Sequence, residues 1–491
     1  MRTERAEADP AVRAPGCATA ASWRAACAKR LARLVRTVAG GALIALPTVA
    51  LARYVLNAAR QRPIGGGARI EGVRDPRISD LLGRRPIRTD VTAIAGHFAG
   101  KRILVTGAGG SIGSELCRQL HQFAPAELIM LDRDESALHE VQLTLHGRAL
   151  LDSDETLLAD IRDPRRVREV FERFRPQIVF HAAALKHLPL LERYPAEAVQ
   201  SNVLGTQTVL EAAAACGVES FVNISTDKAA DPMSVLGYSK RIAERLTAHM
   251  AGQADGTYLS VRFGNVLGSR GSVLGALSAQ VKAGGPLTVT HPDVTRYFMT
   301  VDEAIQLVLQ ATVIGGSGEV LILDMGDPVR IADIARRLSA QSAHPVDIVF
   351  TGLRPGEKLA EDLLGIDEED YRPSHPLIRH ALVKPLDPGR LSPLALGCAP
   401  DDLRRRLAEC AKGEAPPEPG SPASRQRQAT ATEGARRMDV EHRSVREKRS
   451  QALIPNGPLR LPQRPVSRPP RVGEFAGEPI EQNGRRAARP S

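Results

Sequence analysis

Cysteine is scarce in this chain of 491 residues, and the six present, at positions 17, 27, 117, 216, 398 and 410, follow neither metal nor disulfide spacing. That scatter argues against a disulfide-stapled framework and fits a reducing compartment. Cys117 and Cys216 fall within predicted helices of the folded part. His181 and His187 tempt a metal reading, yet no carboxylate or thiol completes a ligand set at their spacing, so no metal is expected. A long apolar run is lacking too. The best stretch, residues 37–52, carries Pro47 and is stopped by Arg53, which is shorter than a comfortable membrane span. Arg24, Lys29, Arg30, Arg33 and Arg36 crowd before it, with fewer basic residues (Arg53, Arg60, Arg62) after it. Such a bias would hold the N-terminus inside and push the downstream chain across the membrane. No clear small-residue cleavage pattern marks a signal peptide. Three readings of the segment stay open: an anchor oriented against its charge bias, a helix lying in the membrane interface, or a remnant with no membrane role.

Aromatics are nearly absent from residues 413–491, which are rich in Arg, Pro, Gly and Ser. A segment of that composition cannot bury enough surface to offset chain entropy, so a disordered, solvated tail is expected. The charge is equally uneven. Residues 1–60 hold ten Arg and Lys against three Asp and Glu, and residues 413–491 hold fifteen against nine, within a net charge of +10. The middle of the chain is therefore slightly acidic. The high pI belongs to the ends, and no specific nucleic-acid partner is expected for the folded part.

What is present is a glycine cluster in a telling place. In Lys101-Arg-Ile-Leu-Val-Thr-Gly107-Ala-Gly-Gly110-Ser-Ile-Gly113, an apolar strand runs into glycines and then into a helical pattern. Gly107 permits a tight turn, Gly110 lets backbone N–H groups approach a pyrophosphate, and Gly113 lets the helix pack on the strand. The helix N-terminus then faces the phosphates. A second apolar strand ends in Asp132, at about the twenty-residue distance of a ribose partner. Asp132 would repel a 2′-phosphate and favours NAD; Arg133 beside it leaves NADP as the lesser alternative. Downstream, strand and helix patterns alternate through Leu157–Ile161, a charged helix to about Arg175, Gln177–His181, a long helix to Cys216, and Ser220–Ser225. That alternation reads as an α/β fold with a doubly wound parallel sheet. Ligands of such sheets lie beyond the carboxyl ends of the strands, which singles out Asp160 and Ile161, Ala182, Ala183 and Ala184 with Lys186, and Ser225-Thr-Asp-Lys228.

Six blocks now stand in order across roughly residues 99–365: Thr106-Gly-Ala-Gly-Gly-Ser-Ile-Gly-Ser-Glu, His181-Ala-Ala-Ala-Leu-Lys-His187, Ser225-Thr-Asp-Lys-Ala, Val261-Arg-Phe-Gly-Asn-Val-Leu-Gly-Ser, Thr290-His-Pro-Asp-Val-Thr-Arg-Tyr-Phe-Met-Thr300 and Leu353-Arg-Pro-Gly-Glu-Lys358. Together they resemble the polysaccharide-biosynthesis branch of the extended short-chain dehydrogenases/reductases, nucleotide-sugar 4,6-dehydratases acting on UDP-N-acetylglucosamine. The segment Ile78–Pro86 resembles the linker of long members, which carry several membrane spans and a further nucleotide-binding-like domain upstream. The resemblance thus implies an N-terminally shortened version of the long form. It also implies a Rossmann-like sheet with a small C-terminal substrate lobe, a homo-oligomer, a UDP-sugar substrate and internally recycled NAD.

The implied chemistry explains the Thr-Asp-Lys block. The carbon 5 proton of a hexose is barely acidic until carbon 4 is oxidised to a ketone; a base can then remove it while an acid protonates the departing carbon 6 hydroxyl. By resemblance Asp227 is the general acid, Lys228 the general base, and Thr226 holds the carbon 4 oxygen. Cofactor contacts are implied for Gly107, Gly110, Ser111, Ile112, Gly113, Asp132, Arg133, Asp160, Ile161, Ala182, Ala183, Ala184, Lys186 and Lys240. Substrate contacts are implied for Asn265, Arg296 and Arg354, whose guanidinium groups suit a diphosphate. One residue departs from the superfamily pattern: a Tyr usually stands four residues before Lys240, and position 236 is Leu. Tyr238 points about 160° away around a helix. Long members also lack this Tyr, so Leu236 suggests that subgroup. A sugar epimerase would share the sheet but needs the Tyr, and a non-catalytic nucleotide-binding scaffold is the third reading.

The expected organisation is a basic disordered segment over 1–36, an apolar candidate anchor over 37–57, a linker over 58–98 and an NAD-binding dehydratase domain over 99–390, its substrate lobe mostly from about 265. A terminal helix over 391–412 and the disordered tail over 413–491 complete the chain. A cofactor and nucleotide sugar found inside cells imply a cytoplasmic site, at the inner face of the plasma membrane if 37–57 anchors the chain.

Overall fold

The computed structural model describes residues 89–413, apart from 152, 343, 371–374, 393 and 395–397. The expectations for 1–36, for 37–57, for most of the linker and for the tail lie outside the described residues. Among the described residues no helix is long and apolar enough to cross a membrane.

Six strands carry the first half: β1 (Arg102–Thr106), β2 (Glu127–Asp132), β3 (Thr156–Leu158), β4 (Ile178–His181), β5 (Ser220–Ile224) and β6 (Thr257–Arg262). They pair in parallel in the order β3-β2-β1-β4-β5-β6, continued by Glu319–Leu323, parallel to β6, and by Ile378–Leu382, antiparallel at the edge. The winding reverses between β1 and β4, and a crevice opens there beyond their carboxyl ends. This is the doubly wound, Rossmann-like sheet that the alternating pattern predicts.

Side chains along β1 alternate between two buried layers. Ile103 and Val105 join the layer under the helices Val91–Phe98, Ser111–His121 and Val301–Ile314, while Leu104 joins the one under Pro164–Phe174, Gly205–Ala215, Val235–Ala251 and Pro400–Lys412. Burial on both faces is why these strands read as continuous apolar runs. Local signals set the helix ends. Asp163 caps the helix that Pro164 opens, and Thr300 and Glu303 form a reciprocal capping box for Val301–Ile314.

Three expectations need correction. The long helix before Cys216 is broken into Leu188–Arg193, Pro195–Ala198, a π-helical stretch Val199–Leu204 and Gly205–Ala215, with Cys216 just past its end. Pro195 has no amide hydrogen to continue the ladder, and the widened turn is where Asn202 reaches back to bracket Leu185, accepting from its N–H (2.8 Å) and donating to its carbonyl (3.0 Å). Second, the linker expectation ends too late: Val91–Phe98 is a capped helix with Ile94, Ala95 and Phe98 buried. Third, the terminal helix begins at Pro400, after a short 3-10 turn at Pro388–Leu391.

From residue 265 on, the structure is finer-grained. Asn265–Leu267 pairs with Phe298–Thr300, Thr295–Arg296 with Val329–Arg330, and Leu287–Val289 with Ile348–Phe350. Leu277, Leu287, Val294, Phe298 and Ile331 close a separate small core there.

Candidate active site

The turn after β1 is built for close approach. Gly107 adopts φ 68°, and a Cβ on it would stand 2.6 Å from the Ala183 backbone. A Cβ on Gly113 would lie 2.0 Å from the Gly107 carbonyl oxygen, so only glycine lets the helix Ser111–His121 begin against the turn. Thus Gly107 meets Ala182 and Ala183 at the β1–β4 crevice, and Gly110 and Gly113 pack against the Gly107 carbonyl oxygen. At the end of β2 the Asp132 carboxylate accepts from Gly109 N (2.8 Å) and Asp134 N (3.1 Å), with lone pairs left for a ribose. Arg133 leans toward Asp160 (3.8 Å), which Arg162 holds at 2.7 Å. An open carboxylate beside a partly engaged arginine suits a free 2′-hydroxyl. Ile112 packs into the core layer, and Ile161, just past the short β3, buries its side chain against Gly205. These residues fit a dinucleotide: a cradle that a Cβ would fill, a helix N-terminus and an acid for the ribose.

Beyond β5 the chain passes through Thr226 into one 3-10 turn, Asp227–Ala229. Gly237 opens the next helix against that turn, where a Cβ would meet the Lys228 carbonyl oxygen at 2.3 Å. Asp227 is fully buried; its Oδ1 accepts from the Thr226 hydroxyl (2.9 Å) and from Lys228 Nζ (3.0 Å). Its Oδ2 is buried without a hydrogen-bond partner among the described residues, a costly arrangement for a carboxylate. Glu361 completes the cluster, its side chain 3% exposed and Oε1 3.6 Å from Lys228 Nζ. Burial works to lower the Lys228 pKa, but Asp227 and then Glu361 outweigh it and raise it. Burial, with Asp227, likewise raises the Glu361 pKa against the pull of Lys228. Lys228 Nζ thus stands between two buried acidic side chains that favour its ammonium form. Sequence reasoning missed Glu361, which stands three residues past the last block.

Arg296 and Arg354 meet on a second unforeseen acid, Glu357. Buried Arg296 donates to the Thr295 and Leu359 carbonyls (2.7 and 3.2 Å) and to Glu357 Oε1 (3.1 Å). Exposed Arg354 donates through Nε and its backbone N–H to Glu357 Oε2, both at 3.2 Å. Burial pushes the Glu357 pKa up, and the two arginines bring it below its usual value. Arg354–Glu357 is the expected turn, closed by Glu357 N to Arg354 O at 3.0 Å with Gly356 at φ 74°. Asn265 pairs its strand beside Tyr297, and its side-chain amide makes no hydrogen bond to a described residue.

Lys240 is buried and donates to the Ile224 carbonyl (2.8 Å), and burial draws its pKa down to about 8. Leu236 is buried in the apolar core, and Tyr238 packs against the same layer. His181 is held on both ring nitrogens. The Thr206 hydroxyl spends its hydrogen on Asn202 O (2.7 Å), so it accepts from Nε2, and Thr106 donates to Nδ1 (2.8 Å). Burial lowers its pKa to about 3, which leaves it neutral.

Known proteins share this architecture. A solved structure, that of Pen from Bacillus thuringiensis, superposes with a TM-score of 0.53 at 32% identity, covering 58% of this chain and 90% of the other. The "Probable polysaccharide biosynthesis protein EpsC" of Bacillus subtilis is 46% identical over 307 residues, 62% of this chain and 51% of its own length. The "Capsular polysaccharide biosynthesis protein CapD" of Staphylococcus aureus is 45% identical over 312 residues, 62% of this chain and 52% of its own. The chain thus spans about half the length of these curated relatives. Matched over residues 103–382 by the sequence profile of that group, this chain belongs to the polysaccharide biosynthesis protein family.

Proposed function

We propose that the chain is a nucleotide-sugar 4,6-dehydratase that converts UDP-N-acetylglucosamine to a UDP 4-keto-6-deoxy sugar for glycan biosynthesis. The buried Asp227–Lys228 pair at the carboxyl end of β5 is the observation that carries this reading. NAD, cradled by Gly107–Gly113, Asp132, Ala182–Ala184 and Lys240, supplies a reversible two-electron acceptor, so carbon 4 is oxidised and carbon 6 later reduced without a second substrate. Thr226 donates to Asp227 Oδ1 at 2.9 Å. A carbon 4 hydroxyl resting on Thr226 passes its proton through that hydroxyl to the carboxylate, a route that needs no Tyr at position 236. Asp227 later gives this proton to the carbon 6 hydroxyl, which leaves as water. Lys228, as the free amine, takes the carbon 5 proton and returns one to carbon 5 when carbon 6 is reduced. Both side chains end as they began. Arg354 and Asn265 hold the UDP moiety, and Arg296 with Glu357 sets the turn that carries Arg354.

The test is incubation of the full chain with UDP-N-acetylglucosamine and NAD in deuterated water. Loss of one water with one deuterium at carbon 5 is expected. Unchanged mass without deuterium would overturn the assignment, and a carbon 4 epimer among the products would replace it with an epimerase.

A further inference from the structure

Two cations beside the glycine turn have no ion-pair partner among the described residues. Arg270 lies between the strand Asn265–Leu267 and the helix Val273–Lys282. Its backbone N–H donates to Ser111 Oγ (3.0 Å), and its guanidinium donates to the Gly109 carbonyl oxygen. Both partners belong to the turn that would face a dinucleotide's phosphates. Lys186, after β4, is the second cation; partial burial and then the charge of nearby Arg270 lower its pKa. The two segments touch: a Cβ on Gly271 would lie 2.6 Å from the ring of His187. Gly268 and Gly271, at φ 78° and 67°, bracket the Arg270 loop.

Elsewhere the arginines around the crevice are paired, Arg162 with Asp160, Arg262 with Glu244, Arg296 and Arg354 with Glu357. Arg270 and Lys186 form no ion pair among the described residues. Two facing cations repel each other unless an anion lies between them. A diphosphate has the charge and the acceptor oxygens to fill that place, and a guanidinium matches it with paired donors.

We propose that Arg270, with Lys186, clasps the diphosphate of the bound dinucleotide against the turn Gly107–Ser111. The sugar nucleotide also carries a diphosphate, but both Arg270 contacts are to the dinucleotide turn, whereas Arg296 and Arg354 cluster apart on Glu357. The clasp rests on the dinucleotide reading of the turn and not on the dehydratase chemistry. An enzyme that recycles its cofactor within each turnover gains from holding it.

The experiment uses the full chain, stripped of cofactor, as wild type, Arg270→Ala and Arg270→Lys. Calorimetry measures NAD and UDP affinity, dialysis measures NAD retention, and melting of the stripped proteins reports on folding. Loss of a charge-assisted contact predicts NAD binding on the order of tenfold weaker in Arg270→Ala, with faster release. Arg270→Lys falls between, while UDP affinity and the melting temperature of the stripped protein stay at wild-type values. Wild-type NAD affinity in Arg270→Ala overturns the proposal, as does weaker UDP binding with NAD unchanged, or weaker NAD binding accompanied by a lowered melting temperature. A wild-type chain that binds no NAD overturns the dinucleotide reading and the clasp with it.

Discussion

A lysine is a base only when it has lost its proton, and Lys228 is placed so that its proton is hard to lose. Asp227 at 3.0 Å and Glu361 at 3.6 Å both favour the ammonium. Replacing Glu361 with Gln keeps the shape and removes one of the two charges, so Lys228 should shed its proton at lower pH. If the amine is the working base, the acid limb of the kcat/KM profile moves to lower pH in Glu361→Gln; a limb that stays in place would show that another group titrates there. Asp227→Asn tests the other half. Dehydration should fall by about 10²–10⁴, while NAD binding measured by calorimetry persists; wild-type turnover in that variant would show that another group protonates the carbon 6 hydroxyl. Thr226, Asp227 and Lys228 were legible because they come after an apolar strand inside a distinctive block. Glu357, Glu361 and Arg270 were not. Each meets a partner across a long sequence gap, Glu357 to Arg296, Glu361 to Lys228 and Arg270 to Gly109, and no periodic pattern marks such a juxtaposition.

Two glycines in helices show how differently one residue type works within an element. Gly113 is pressed against the Gly107 carbonyl, where an added Cβ would lie at 2.0 Å from backbone that cannot yield. Gly96, in the exposed face of Val91–Phe98, has nothing within 4 Å of its Cβ position. Gly113→Ala should therefore cost about 1–3 kcal/mol through overpacking and disturb the cradle. Gly96→Ala should stabilise the fold by about 0.5–1 kcal/mol through helix propensity alone. Urea unfolding of the two variants checks both; equal effects would mean that the cradle relaxes more freely than its geometry says. The same contrast separates elements that can be read from sequence from those that cannot. Glycines spaced for a strand-turn-helix unit announce themselves, and so do apolar strands buried on both faces. Helix interruptions are quieter: Pro195 was visible, but the π-helical turn at Val199–Leu204 is held by Asn202 reaching Leu185, a tertiary bond. Val91–Phe98 is a short helix whose stability comes from burying Phe98 rather than from local pattern.

At the scale of the whole molecule, the parallel sheet and the finer-grained C-terminal part are tied by one buried cation. All five donors of Arg262, at the end of β6, are taken: Glu244 Oε1 and Oε2 at 3.0 and 2.7 Å, Glu368 Oε2 and Oε1 at 2.7 and 3.1 Å, and the Leu363 carbonyl at 3.1 Å. Glu244 also accepts from Ser225, next to Thr226, at 2.6 Å. The network thus links the strand end that carries Thr226, Asp227 and Lys228 to the segment just beyond Glu361. Burial alone would push the Glu368 pKa up, but Arg262 and then Arg241 hold it down at about 2. Its unfolded value is about 4.3, so on acidification the unfolded chain takes up the proton first. The stabilisation, on the order of 3 kcal/mol, is complete above the unfolded pKa and drains away as pH falls from about 4 to about 2. Glu368→Gln should remove that part of the acid dependence in urea unfolding series. It should also cost about 3–5 kcal/mol at neutral pH, because it leaves the buried Arg262 charge short of a partner. A variant that keeps the wild-type acid slope would place the titrating carboxylate elsewhere. A neutral-pH loss far below that range would mean that Glu244 alone satisfies Arg262, and that the C-terminal segment is held to the sheet by its apolar contacts rather than by this charge.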